Sequence, residues 1–377
     1  MPHPYLDRSR LHLRPLSDRP SKVDIERAAV LPDARPAQLS ANAARVVATT
    51  AERMRAARRR GAPIVMAFGA HAIKNGLAPV LIHLLETGWL DLLATNGAGI
   101  IHDWEFAFQG RSSEDVRANV AGGSFGLWAE TGGWLNLALV MGAYEGLGYG
   151  ESVGRFIHEG GGLLPPRAEL VSAMRVEPDT NREALSRAGA AADLLALMNQ
   201  AGLASGPVRV PHPWKRFSVQ ARAHELGIPF TGHPMFGHDI IYTHPWNTGA
   251  AVGRVAERDF LTFADHVARL SSGVYLSIGS AVMSPMVFEK SMAMAQNLAH
   301  QRGEAIAGHT MTVVDLAESH WDWSQGEPPQ DSPDYYLRYC KTFSRMGGTM
   351  HYATADNRDF LLALTHELAG GPERSEG

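Results

Sequence analysis

Three stretches of the chain bring together side chains able to do chemistry. Pro333-Asp334-Tyr335-Tyr336-Leu337-Arg338-Tyr339-Cys340-Lys341 ends in a primary amine set among aromatic rings. An amine that sheds its proton can attack a carbonyl or imine carbon and hold an alkyl group covalently. Burial beside rings and a second cation favours that loss. By itself, though, a helical lysine is more often a solvated charge. His233-Pro234-Met235-Phe236-Gly237-His238-Asp239, with His244, offers three imidazoles and a carboxylate within twelve positions. Such a set suits zinc or iron, but no His-Glu-x-x-His or paired-cysteine spacing accompanies it. Contacts of His238 and Asp239 with a substrate, or histidines in structural places, come ahead of metal binding. His102-Asp103 stands at an expected helix start, where the carboxylate either caps the helix or meets a cofactor ribose.

Elements able to position these groups alternate along the chain. A helix over 42–60 is broken by Gly61-Ala62-Pro63, and Ile64 to Phe68 reads as a buried strand. The Arg58-Arg59-Arg60 cluster then closes that helix, where cations complement the dipole. A helix to Thr87, the strand Leu90 to Ala94 and the exit Thr95-Asn96-Gly97-Ala98-Gly99 follow. Further on come a helix from Ser218 to Leu226, a strand Ile228-Pro229-Phe230, a helix over 250–270 and the strand Val274 to Ile278. A helix over 285–300, a strand near 311–314, a helix near 334–344, a strand near 350–353 and a helix over 357–368 complete the series. The alternation predicts an α/β fold with a doubly wound, mostly parallel sheet. Such sheets bind ligands at the carboxyl ends of their strands, where loop amides and helix N-termini accept phosphate. The exits at Gly69-Ala70-His71 and Thr95 to Gly99 lie there, although no G-x-G-x-x-G is present and glycines also serve simply to turn a chain. Residues 122–210, rich in Gly pairs and with an Ala/Leu helix near 188–200, are expected to cover the sheet or build an interface.

The composition sets the surroundings. Hydrophobic residues make up 45% and charged residues 20%, with a formal charge of −4 and no long basic run. This is ordinary globular material with no call for nucleic acid or an anionic membrane. One cysteine, Cys340, allows no intrachain disulfide and suits a reducing, cytoplasmic setting. No apolar run is long enough to cross a bilayer. The expected division is an irregular Pro- and Arg-rich arm over 1–41, a single α/β domain over 42–370 and a polar tail over 371–377.

Several of these stretches resemble the deoxyhypusine synthases. Gly76 to Asp103 is similar, without a gap, to that family's helix, strand and T-T-A-G-G-V-E-E-D cofactor loop. Ser218 to Asp239 resembles the segment running through I-P-V-F into L-G-D, and Gly273 to Ser284 the glycine-rich strand exit. P-D-Y-Y-L-R-Y-C-K is similar to P-D-E-A-V-S-W-G-K, which sets Lys341 on the catalytic lysine, and Tyr352-Ala353 falls on the family's Y-A. The resemblance implies a Rossmann-like, deoxyhypusine synthase-like subunit of a homotetramer that uses NAD. It places the cofactor at Ala70, His71, Thr95, Asn96, Gly97, Gly99, His102, Asp103, Gly279, Ser280, Ala353 and Asp356. It places a polyamine at Asp239, His238, Ser284, Tyr335 and Tyr339, with Asp322 and Asp331 as further acids. The implied reaction passes an aminobutyl-type group from a polyamine through a lysine imine to an acceptor amine. The departures are Met283 and Ser284 for a lysine and histidine, Tyr335 for an acid, Tyr339 for a stacking tryptophan, Pro234 for a carboxylate and His102 for a glutamate. The acceptor is a protein lysine or, given an Ala- and Arg-rich composition of bacterial type, a small diamine or guanidino-amine. A non-catalytic NAD-binding or assembly homologue, and a metal-dependent hydrolase at His233, His238, Asp239 and His244, are the alternatives.

Overall fold

The computed structural model describes residues 3–177 and 181–370, so the expected polar tail lies outside the described residues. Chain contacts divide the protein into two compact units, one of residues 28–99, 226–233 and 260–377, the other of 1–27, 100–225 and 234–259. The first unit takes in residues 28–41 of the expected arm, and the second takes in the rest of the arm with most of the middle of the chain.

The first unit holds a six-stranded sheet of β1 (Ile64–Phe68), β2 (Leu92–Asn96), β3 (Phe230–His233), β4 (Val274–Ile278), β5 (Thr310–Asp315) and β6 (Thr349–Thr354). Their order is β6-β5-β4-β1-β2-β3, and every neighbouring pair is parallel. This is the doubly wound, Rossmann-like arrangement that the alternation predicts, with its topological switch between β1 and β4. All five residues of β1 are buried, as a strand covered on both faces requires. Val65, Ala67, Tyr275, Met311 and Val313 share a core with Phe288, Met292 and Ala295 of the helix Met283–His300. Thr312, one residue out of phase, meets Thr50 of the helix Ala41–Arg60 through a 2.8 Å hydroxyl contact. The period of two therefore turns alternate residues to helices on opposite faces.

The ends of the 41–60 helix follow from its sequence. Ser40 caps its N-terminus by accepting from the Ala43 amide at 3.2 Å. Gly61 closes it at φ 64°, and Arg58 lies 4.6 Å from the centre of the Trp89 ring. β3 starts at Phe230 rather than Ile228. Pro229 has no amide to donate and contributes only its carbonyl, which accepts from Leu93 at 3.1 Å. The shift carries His233 into the strand.

The second unit is mostly helical, with the helices Ala129–Glu145, Tyr149–Glu159 and Arg182–Gln200, and an antiparallel ribbon of Gly161–Leu164 with Gly206–Arg209. The 129–145 helix is buried along nearly its whole length, consistent with an apolar surface all round. Its glycines have a packing use: a Cβ on Gly142 would stand 1.8 Å from Ser152 Oγ, so the two helices meet closely where a side chain would part them. The arm also carries regular structure, because Val23–Asp24 pairs with Arg111–Ser112 and the Arg19 guanidinium is buried against Glu105. Among the described residues, no helix is long and apolar enough to cross a membrane.

His212 gives this unit an acid sensitivity. Its ring lies edge-on to Trp104, Phe108 and Phe156, and burial pushes its pKa down to about 4. A histidine held neutral in the fold contributes full stability above its unfolded pKa of about 6.5 and loses it as pH falls toward 4. At pH 5 the loss from this residue is about 2 kcal/mol. Urea titrations at pH 7 and pH 5 should show His212→Phe losing less stability between the two than the parent, by roughly that amount. An equal loss would place the acid sensitivity elsewhere.

Candidate active site at the strand exits

The carboxyl ends of β1 and β4 press against one another. Gly69 donates its amide to Ile278 O at 3.0 Å, and Gly279 donates to Val314 O at 2.8 Å. A Cβ on Gly69 would lie 2.1 Å from Gly279 O, and one on Gly279 would lie 2.2 Å from Asn357 Nδ2. Gly279 also takes φ 56°, which a side chain disfavours. Bare backbone at a switch point is the setting in which a dinucleotide pyrophosphate approaches a Rossmann sheet. Ala70, half-buried, and His71, exposed, open a short helix directly after Gly69. Gly69→Ala should cost about 1–3 kcal/mol, because backbone and not a flexible side chain must give way. Denaturant midpoints and dinucleotide titration of the same variant check this, and unchanged values for both would remove the close approach from the argument.

The neighbouring exits are tied down by their own side chains. Thr95 is buried and donates to Phe68 O at 2.9 Å, and a Cβ on Gly99 would sit 2.2 Å from its hydroxyl. Asn96 Oδ1 accepts from the Gly99 amide at 2.9 Å and so caps the helix Gly97–Gln109. Ser280 Oγ accepts from Ser284 N at 3.2 Å, Ala353 is buried within β6, and Asp356 caps the last helix through Arg358 N at 2.8 Å. The backbone around Gly69 and Gly279, with Asn96 and His71 beside their strand exits, thus marks the carboxyl edge of the sheet at its topological switch.

Lys341 stands on the short helix Arg338–Ser344, which Cys340 and Phe343 anchor in the core. Burial pushes the Cys340 thiol well above its usual range, so it stays a neutral core group. The lysine is one-fifth exposed. Its Nζ lies 3.4 Å from the centre of the Tyr335 ring and 3.6 Å from Glu327 Oε1, while Arg345 forks the same carboxylate at 2.6 and 2.8 Å. The aromatic and cationic neighbours expected from the sequence are present, joined by a carboxylate that the sequence reading missed. A cavity of about 480 Å³ brings Lys341, Arg338, Tyr339 and Arg345 together with Ala281 and Val282, the residues that follow the β4 exit. Tyr339 shares a 3.1 Å contact with the Tyr352 hydroxyl, which donates to Ala317 O at 2.6 Å. Ser284 lies below this level: it is fully buried, with its hydroxyl 2.7 Å from that of Tyr275. Asp322 and Asp331 are exposed; Asp322 caps the turn Trp323–Gln325 and lines a separate cavity with Trp321 and His351.

The remaining sequence candidates fall in the helical unit. Asp103 is buried and bonded on every side, accepting from Ser218 Oγ at 2.5 Å, Val219 N at 2.8 Å and Gln220 Nε2 at 2.9 Å. It anchors the start of the helix Val219–Leu226, and burial raises its pKa to about 6 despite those bonds. His102 Nδ1 meets Ser112 Oγ at 2.7 Å. His238 is exposed, and burial raises Asp239 to about 6. Asp239 Oδ2 and the Tyr242 hydroxyl are both buried, and the two side chains face one another, so the tyrosine offsets part of the burial of the carboxylate. Tyr242 follows Asp239 by about one turn of the short helix Ile240–Thr243.

His233 lies fully buried in β3, edge-on to Phe263 and 2.9 Å from Thr231 Oγ1, and burial lowers its pKa to about 3. Among the described residues, no group of three His, Cys, Asp or Glu side chains could hold a metal ion. The hydrolase alternative therefore has no ligand set on which to stand.

No protein-family model and no curated protein matches the chain. Solved structures similar to it include ArgZ, an arginine dihydrolase from the ornithine-ammonia cycle in cyanobacteria, at 15% identity and a TM-score of 0.40 over 87% of this chain and 33% of that one. AgrE in ternary complex with ornithine and NAD+ is similar at 14% identity and a TM-score of 0.43, over 88% of this chain and 34% of that one. A protein assigned as a deoxyhypusine synthase from Entamoeba histolytica is similar at 12% identity and a TM-score of 0.37, over 82% and 76% of the two chains. The chain spans about a third of the length of the ArgZ and AgrE chains. These are distant likenesses of fold, and at such scores they carry no argument about activity.

Proposed function

We propose that the sheet unit binds a nicotinamide dinucleotide, NAD, at the β1 and β4 exits and uses Lys341 as the covalent residue in aminoalkyl transfer from an amine donor to an acceptor amine. The observation that carries this reading is the shared cavity: Lys341 opens onto the same space as Ala281 and Val282, immediately past the switch-point glycine. When bound, the dinucleotide supplies the hydride acceptance that makes the donor amine an imine, and the hydride return at the end. The chain's own work lies between. Tyr335 and Glu327 hold Nζ in one place, so its rotamers are restricted before a substrate arrives. After losing a proton, Lys341 adds to the imine carbon and the bond from that carbon to the donor's original nitrogen breaks, releasing that nitrogen as an amine and leaving the alkyl group as an imine on Nζ. The acceptor amine then displaces Lys341, which is restored for the next turnover. Homotetrameric assembly and a cytoplasmic location belong to the same proposal, and sedimentation of the purified protein tests the first.

The test of activity is incubation with NAD and a panel of diamines, polyamines and guanidino-amines, following nicotinamide reduction and the amine products by mass spectrometry. The reading expects a new secondary amine whose formation needs NAD. Dinucleotide binding without amine-dependent chemistry would instead fit a non-catalytic homologue, and absence of dinucleotide binding would overturn both.

A further inference from the structure

The electrostatics of the Lys341 cavity bear on the group it receives. Arg338, Lys341 and Arg345 line it, and no Asp or Glu does. The nearby carboxylate, Glu327, is already forked by Arg345 and paired with Lys341, so three cations are set against one anion. Among the described residues, Arg338 carries no ion pair, and it is exposed. Apart from Thr342, the rest of the wall, Ala281, Val282, Pro285 and Met286 with the Tyr339 ring, is mostly apolar. A polycationic chain entering this cavity meets like charge with no free carboxylate to receive it. A short apolar chain ending in a carboxylate meets a free guanidinium, which binds planar oxyanions through paired N–H donors.

We propose that the alkyl group carried on Lys341 ends in a carboxylate, with Arg338 receiving that carboxylate and the apolar wall receiving the methylenes between. The donor is then an ω-amino acid in place of a polyamine: hydride loss to the dinucleotide makes its terminal amine an imine, Nζ adds to that carbon, ammonia leaves, and the hydride returns after transfer to the acceptor. This rests on the reading of Lys341 as the covalent residue. Arg338 and Arg345 stand three residues before and four after Lys341, so one face of the helix presents all three cations.

The test uses aldehydes, which react with Lys341 without a dinucleotide: the amine adds to the carbonyl, water leaves, and borohydride delivers hydride to the imine carbon, fixing the adduct. The full-length protein is treated with 4-oxobutanoate, butanal or 4-(trimethylammonio)butanal under borohydride, and modification of the Lys341 peptide is timed by mass spectrometry. Succinate binding is measured by calorimetry as a readout independent of amine chemistry. The proposal expects 4-oxobutanoate to modify Lys341 fastest. In Arg338→Gln, its advantage over butanal should fall about tenfold, with a similar weakening of succinate binding. Equal rates for the three aldehydes would overturn the carboxylate preference while leaving Lys341 reactive. A faster cationic aldehyde would overturn it in favour of a polyamine donor. Succinate binding with no modification of Lys341 by any aldehyde would overturn the covalent reading and leave an anion site. Neither binding nor modification would remove both.

Discussion

Lys341→Ala is expected to abolish transfer, lowering turnover by about 10⁴-fold or more, the scale on which loss of a covalent nucleophile acts. The fold should survive. Lys341 gives up a 3.6 Å ion pair and a contact with the Tyr335 ring, both partly open to solvent, and solvent-screened contacts of this kind add little to stability. Lys341→Arg sharpens the prediction, because it keeps a cation for Glu327 and Tyr335 but cannot form the imine. If charge alone matters, as in a substrate-steering role, the arginine variant should retain most of the activity. If Nζ becomes covalently loaded, it should be as inactive as the alanine variant while its thermal midpoint stays near that of the parent. Steady-state rates and melting curves on the two variants separate these outcomes.

Arg19→Ala is expected to be the most damaging single change to stability, costing about 3–5 kcal/mol. Both side chains of the Arg19–Glu105 pair are 1% exposed, and the guanidinium binds the carboxylate in a fork, with two bonds of 2.7 Å. Glu105 also accepts from Ser112 Oγ at 2.6 Å and Thr131 Oγ1 at 2.9 Å. Burial works against its charge, but Arg19 and the surrounding donors outweigh it and hold the carboxyl below its usual range. Removing Arg19 leaves that carboxylate buried with half its partners, whereas removing both charges does not. The double variant Arg19→Met, Glu105→Leu should therefore recover a large part of the loss. Since a typical domain is stable by only about 5–15 kcal/mol, the single variant should show a much lower denaturant midpoint. A loss under about 1 kcal/mol would mean that the pair is solvated in solution.

The sheet was legible because its strands are short apolar runs between helices of the right period. Ile64 to Phe68 and Val274 to Ile278 are strands over the residues that the pattern marks. The apolar pattern places the strand near 228 two residues early, because Ile228 and Phe230 look alike as apolar positions and Pro229 has no amide to donate. That slip hid His233 in a strand and made a buried neutral ring look like part of a loop. The arm was read as irregular for a different reason. Arg19 is a polar residue whose partner lies far along the chain, and no local period reports such a pairing.

The candidate site divides in the same way. Lys341 and its ring neighbours were visible through spacing, while Glu327 was not, because it comes from a loop fourteen residues earlier. Arg338 and Arg345 could have been found, since they share a helical face with Lys341. Asp103 could have been read either as a cap or as a ribose contact, and only its bonds to Ser218, Val219 and Gln220 show how its oxygens are used. The glycines of 122–210 were opaque in sequence because their use, as at Gly142 against Ser152, is a close approach between helices.

The most direct measurement is incubation of the purified protein with NAD and a series of amine donors and ω-amino acids, followed by borohydride trapping and peptide mass spectrometry. An alkyl adduct on Lys341, formed only when NAD is present, is the predicted result. Demonstrated NAD binding with no adduct on Lys341 from any donor would contradict it.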